Sequence, residues 1–88
     1  VGKVIAIVKI FPESTDVDLN VMLESIKKEI GGDATISDTR IEDIAFGLKV
    51  LKLALIVPEV EGALEGVEEK IRNVKGVSEV EIEGVTRL

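Results

Sequence analysis

The hydrophobic positions of this chain fall into segments whose period switches between two and about 3.6 residues. From Lys3 to Phe11, "KVIAIVKIF", residues Val4, Ala6, Val8 and Ile10 form a wholly apolar face, and Lys3, Ile5, Ile7 and Lys9 form the other. That alternation predicts a strand. Pro12 ends it, having no N–H to give a ladder, and "ESTDVD" follows as a polar loop. From Leu19 the spacing lengthens. Leu19, Met22, Leu23, Ile26 and Ile30 recur at i, i+3, i+4, i+7 and i+11, one face of a helix. Asp16 or Asp18 is its expected N-cap, and Gly31-Gly32 its left-handed stop. Thr35 to Ile41, "TISDTRI", is a thinner strand with polar residues interleaved throughout.

The next stretch, Ala45 to Val57, carries only two charges, Lys49 and Lys52. It is far short of the roughly 20 apolar residues of a spanning helix. Leu51, Leu53, Leu55 and Val57 alternate with Val50, Lys52, Ala54 and Ile56, whereas helical spacing would scatter these leucines around the axis. A strand ending at Pro58 is therefore expected. Leu64, Val67, Ile71 and Val74 then mark a second amphipathic helix, with Gly76 as its expected C-cap. Gly66 inside it costs roughly 1 kcal/mol relative to alanine, which suggests close packing at that position. Val77 to Val85 alternates again, with Val80 and Ile82 inward and Glu79, Glu81 and Glu83 outward.

The order β-α-β-β-α-β predicts an α+β, ferredoxin-like sandwich: a four-stranded antiparallel sheet with two helices on one face. The first and third strands, the most apolar, belong in the middle, and the charged second and fourth at the edges. Residues 1–88 read as a single domain, since no boundary or low-complexity tract interrupts them. The open face should carry Ile5, Ile7, Val50, Ala54 and Ile56 inside a ring of charges. An apolar patch with a charged rim is an interaction surface, for a partner or for a second copy.

Composition narrows the chemistry. A 45% hydrophobic, 32% charged chain suits a soluble globular protein, and a cytoplasmic location is the default expectation. The formal net charge of −6 opposes nucleic-acid binding, and two phenylalanines cannot build a base-stacking platform. Histidine and cysteine are both absent, which removes His- and Cys-based nucleophile pairs and the usual zinc ligands. No phosphate-binding glycine loop is present. Asp16 and Asp18 lack the glycine and distal glutamate of a calcium loop, and Glu79, Glu81 and Glu83 are better read as cross-strand partners of Lys3 and Lys9 than as metal ligands. No metal, cofactor or bond-making activity is expected. The chain has no glutamine, few Asn and Met, and many Glu and Lys, a thermophile-like composition. Its measurable form is a thermal midpoint above the roughly 45–65 °C of mesophile domains.

Three stretches together resemble the guanine-nucleotide exchange domain of the translation elongation factor 1-beta family, in its archaeal form. "AFGLKVLKL" (Ala45–Leu53) is similar to that family's "GFGIKKLQ"; "VKIFPESTDVDL" is similar to the archaeal first strand and helix entry; and "VTRL" resembles the family's ending of a basic residue before a terminal leucine. The resemblance spans essentially the whole chain and implies an exchange factor that binds the GTPase elongation factor 1-alpha and loosens its GDP, with no cofactor, no membrane and no direct nucleic-acid contact. It implies that Phe46, beside Gly47, is an exposed aromatic docking on a second domain of the GTPase. It also implies that Arg87, followed by Leu88, stands where the family has a penultimate lysine, a cation pushed toward the GTPase's magnesium and phosphate site. Lys49 and Lys52 match basic or polar positions of the motif and would steer an acidic surface. Arginine is planar and bulkier than lysine, a departure from the eukaryotic pattern. Eukaryotic relatives carry an amino-terminal region that this chain, starting at the first strand, lacks, so a minimal exchange module is expected. The alternative is a ferredoxin-like module binding a small molecule at a sheet edge. Such modules place glycines in the first strand-to-helix loop, and "PESTDVD" has none.

Overall fold

The computed structural model describes residues 2–88. Its elements follow the order β1 (Lys3–Pro12), α1 (Leu19–Ile30), β2 (Thr35–Ala45), β3 (Leu48–Pro58), α2 (Ala63–Arg72) and β4 (Val77–Arg87). The sheet order is β2-β3-β1-β4 with every pair antiparallel. The two strands with the longest apolar runs thus occupy the centre, where both edges are paired.

The pleat sorts the side chains. Ala6, Val8 and Ile10 of β1 and Leu51, Leu53, Leu55 and Val57 of β3 point to the helices and are buried with Met22, Ile26, Ile30, Val67 and Ile71. Each of the larger ones contributes about 1.5–3 kcal/mol by leaving water. Among the described residues no polar or charged residue is buried, so the core is purely aliphatic apart from Met22. Asp18, not Asp16, caps α1: its carboxylate accepts from the N–H of Asn20 at 2.9 Å and of Val21 at 3.4 Å. Gly31, at φ 51°, ends the helix, and its N–H donates to the Lys27 carbonyl.

Several expectations are corrected. Helix α2 stops at Arg72 with Asn73 as its cap, and Gly76 (φ 95°) belongs to the following turn into β4. Val74 is still buried, so the apolar repeat outran the helix by two residues. Gly66 is not closely packed; a Cβ there would meet nothing within 4 Å, and the residue borders an open groove between α2 and the β3–α2 turn. Strand β2 runs to Ala45 rather than Ile41, because Glu42 to Ala45 continue the ladder opposite Leu48 to Val50.

The edge strands are irregular where the central ones are not. In β2 the register slips at Ser37 and Ile44, and in β4 at Ser78 and Glu83, each skipped by the pairing. Bulges of this kind blunt a sheet edge against further strand addition. The slip at Glu83 also inverts the face of everything after it. Val80 and Ile82 lie over Ile10 and Val8, but Val85 and Arg87 then lie over Ala6 and Val4, on the helix side again.

Candidate functional site

The open face of the sheet differs from its expected form. Val50 and Ala54 are buried, and Ile5, Ile7 and Ile56 are half-buried. A row of cations crosses its middle, Arg40, Lys52 and Lys9 standing side by side on β2, β3 and β1. Like charges so placed repel unless acids stand between them. Glu83, freed from the ladder by its bulge, supplies one: its carboxylate is 2.9 Å from Lys52 Nζ and 3.4 Å from Lys9 Nζ, while Glu42 lies 3.8 Å from Lys52. The hydrogen bond from Lys52 holds the Glu83 carboxyl below the usual carboxylate range, against the smaller opposing effect of burial. The same bond raises Lys52 above the ordinary lysine value. The partners expected for the β4 glutamates are thus half right. Lys9 is one, but Lys3 stands opposite Pro58 at the far end, and the second cation is Lys52. The charges divide the apolar residues instead of ringing them.

The two ends of the sheet carry the remaining features. At one end β2 and β3 continue as a two-stranded hairpin past the last β1 pair, Ile10 with Leu51. Its turn is two residues, Phe46 (φ 51°) and Gly47 (φ 78°). Positive φ at both central positions is the requirement of the tight turn whose twist matches a hairpin. Glycine meets it freely, but a bulky ring there is a backbone outlier costing about 1–3 kcal/mol. Phe46 also buries nothing, with a relative exposure of 103%. The ring is therefore paid for in strain and receives no packing in return within this chain. Ile41 and Ile44, both exposed, extend the apolar surface along β2. Behind the turn, on the helix side, a cleft of about 290 Å³ lies between the hairpin and the β1–α1 loop, lined by Val17, Leu19, Ile41 and Lys49 among others. Asp43 faces Lys49 in the register, yet among the described residues Lys49 makes no ion pair.

At the opposite end, Arg87 pairs with Val4 across the ladder, and the N–H of Leu88 donates to the Lys3 carbonyl at 2.9 Å. Both residues are exposed, and the Nε–H of Arg87 donates to the Glu59 carboxylate. The terminus is an ordered edge strand with a side chain held outward. Phe46 and Arg87 thus occupy diagonal corners, about 30 Å apart measured along β3 at the strand rise, in a molecule whose longest extent is 42 Å. Phe46, Gly47 and Lys49 come together at one end and Arg87 and Leu88 at the other. Lys52 joins neither, since it lies mid-sheet and is engaged by Glu83 and Glu42.

The family model for the EF-1 guanine nucleotide exchange domain matches residues 5–88, which includes both corners. The chain belongs to that family. Guanine-nucleotide exchange in protein synthesis is the activity that defines these exchange domains, and relatives agree over their full length. The chain is 42% identical to elongation factor 1-beta of Staphylothermus marinus over 88 residues, covering 99% of this chain and 98% of that one. It is 38% identical to elongation factor 1-beta of Methanothermobacter thermautotrophicus over 87 residues, again covering 99% and 98%. Among solved structures, the exchange domain is similar to the ACT domain from GTP pyrophosphokinase of Chlorobium tepidum, with a TM-score of 0.62, 26% identity and 96% of each chain covered. The C-terminal domain of the MgtC protein from Mycobacterium tuberculosis shares the fold at a TM-score of 0.58 and 12% identity, over 99% of this chain and 88% of that one. Among the described residues of this exchange domain no helix is long and apolar enough to cross a membrane.

Sequence reasoning singled out Phe46 and Arg87, which stand at the two corners, but gave no sign of the contact between Glu59 and Arg87. The only signal for Glu59 was its position, directly after the proline that closes β3, and nothing in the spacing brought it to Arg87, 28 residues on.

Proposed function

We propose that the protein promotes GDP release from the GTPase elongation factor 1-alpha by gripping it at two places, with Phe46 as the anchor and Arg87 as the group that disturbs the nucleotide site. The observation that carries this reading is the wholly exposed phenylalanine on a strained turn. Strain at a position where the chain itself gains nothing points to a gain elsewhere, and a rigid aromatic offered to a partner's pocket is a common form of binding hot spot. Arg87 supplies a permanent positive charge with planar donors suited to phosphate. Lys49, on the anchor's side of the hairpin and free of ion pairs among the described residues, steers an acidic surface of the GTPase, and Gly47 and Leu88 hold the chain beside the two contact groups. Lys52 acts through the charge of the open face as a whole.

The physics is linkage. If the factor binds the empty GTPase more tightly than the GDP-bound form, GDP binds more weakly in the complex by the same free energy. Nothing in the step makes or breaks a covalent bond, so the factor needs only contacts that differ between the two states.

The test is release of a fluorescent GDP analogue from the cognate elongation factor 1-alpha, with increasing amounts of this protein. Saturable acceleration is expected. Unchanged release with the factor in large excess would remove the proposal and leave the small-molecule module as the reading to pursue, with the cleft behind the hairpin as its first place to look.

A further inference from the structure

The ion pair between Arg87 and Glu59 is built from two anchored backbones. Glu59 opens the β3–α2 turn; its N–H donates to the Gly2 carbonyl at 2.9 Å, and the N–H of Val60 donates to the Pro58 carbonyl at 2.9 Å. On the other side Arg87 is fixed by its pairing with Val4 and by the bond from Leu88 to Lys3. The carboxylate is the better covered partner, with its side chain 35% exposed against 79% for the arginine. Glu59 therefore serves as the fixed post and Arg87 as the arm.

The geometry of the bond matters as much as its presence. A guanidinium has five N–H donors in a rigid fork. Glu59 takes the Nε–H, and among the described residues no other bond to the guanidinium is made. The terminal amino groups stay free, and these can grip a phosphate or carboxylate with two parallel bonds. An unsupported arginine explores many rotamers and loses that freedom when it binds. One already held at Nε loses less.

We infer that Glu59 is a positioning residue, which holds the Arg87 guanidinium outward so that its terminal edge meets an anionic group of the phosphate class on the partner. The inference rests on Arg87 being the group delivered to the GTPase. It requires the pair to persist in the complex, with the arginine bridging the Glu59 carboxylate and the partner's anion.

The experiment is a double-mutant cycle in the GDP-release assay, with wild type, Glu59→Gln, Arg87→Ala and the double variant, each titrated to saturation on elongation factor 1-alpha loaded with a fluorescent GDP analogue. An exposed pair of this type is worth about a 1.5- to 5-fold change. Glu59→Gln is expected to lower the maximal release rate by that factor, to leave the half-saturating concentration unchanged, and to have no effect in the Arg87→Ala background. Glu59→Asp, which keeps the charge on a shorter stem, should recover part of the loss. Wild-type or faster release by Glu59→Gln overturns the inference; faster release would mean that the carboxylate restrains the arginine instead of presenting it. A loss that persists in Arg87→Ala overturns it too, because Glu59 would then act by another route. If Arg87→Ala alone releases GDP as fast as wild type, the assignment of Arg87 has failed, and the positioning role falls with it. Glu59 lies on the surface, so melting temperatures of all four proteins serve as the folding control.

Discussion

The hairpin tip and the far end of β4 are made on opposite plans. The tip is apolar, strained and unsupported: a ring on a left-handed backbone, projecting beyond the last pair with β1. The far end is relaxed and braced, with a charged side chain on the strand end tied by one ion pair and one backbone bond from Leu88. Apolar area confers affinity without depending on the partner's chemical state, whereas a charge acts most where another charge is already bound. Under the proposed function, the tip would hold the GTPase and the far end would change it. With the length of the sheet between them, the two tasks can be altered separately.

The sharpest way to break this contrast is at the arginine. Bonds to charged groups contribute roughly 1.5–3 kcal/mol, so Arg87→Ala should lower the maximal GDP-release rate on the order of 10- to 100-fold while the half-saturating concentration moves much less. A loss confined to half-saturation would show that Arg87 only binds. Next in size, Phe46→Ala should raise the half-saturating concentration about 30-fold, as removal of a 2 kcal/mol anchor does, and preserve the maximal rate. The residues are far enough apart that the double variant should show the sum of the two effects in free energy. Smaller again, Phe46→Asn should stabilise the fold by about 1 kcal/mol, or roughly 4–8 °C in thermal midpoint, because asparagine tolerates the left-handed conformation and no packing is lost. More stability with weaker docking in one variant would demonstrate that the strain is retained for binding.

The smallest effect concerns the charges between the two ends. The Glu83 carboxyl titrates below its usual range in the folded protein, chiefly through the hydrogen bond from Lys52. A lowered folded value means that its contribution to stability is present above the ordinary carboxylate range and is lost as pH falls through the lowered value. Lys52 is raised, so its contribution is present below the ordinary lysine value and is lost as pH rises through the raised one. Glu83→Gln should therefore melt slightly lower than wild type at neutral pH, and the two should converge in acid and in high salt.

Much of this was legible in the chain, and unevenly so. The central strands announced themselves because both their faces are largely apolar, and Pro12 and Pro58 marked their ends. The α1 cap was narrowed to two aspartates, and only the geometry at Asn20 and Val21 separated them. Edge strands were harder, since half their ladder faces water and polar residues cost little there. Glu42 and Asp43 look like loop residues yet belong to β2. Val50 illustrates a different limit. It lies on the face opposite the helices, which alternation reads as exposed, but Glu42 stands opposite it and Phe11, under Lys9, lies just beyond the last β1 pair on that face, so it is buried. Phe46 was legible as an oddity, a ring beside a glycine in a chain with two aromatics. Its backbone strain was not, because strain depends on the number of residues in the turn, which only the register reveals.

The unpaired Glu83 has one more consequence. Counting by twos from Val80 would set Arg87 on the face away from the helices; the extra residue brings it back beside Glu59. Deleting Glu83 would only regularise the strand and leave Arg87 opposite Val4, whereas a one-residue insertion after Gly84 would leave the hydrophobic half of β4 in place and carry its last four residues to the other side of the sheet. If the proposed role of Arg87 holds, such an insertion would aim its cation at a different target surface, and an edge strand that already carries an extra residue is where a lineage could accept one more without rebuilding its core.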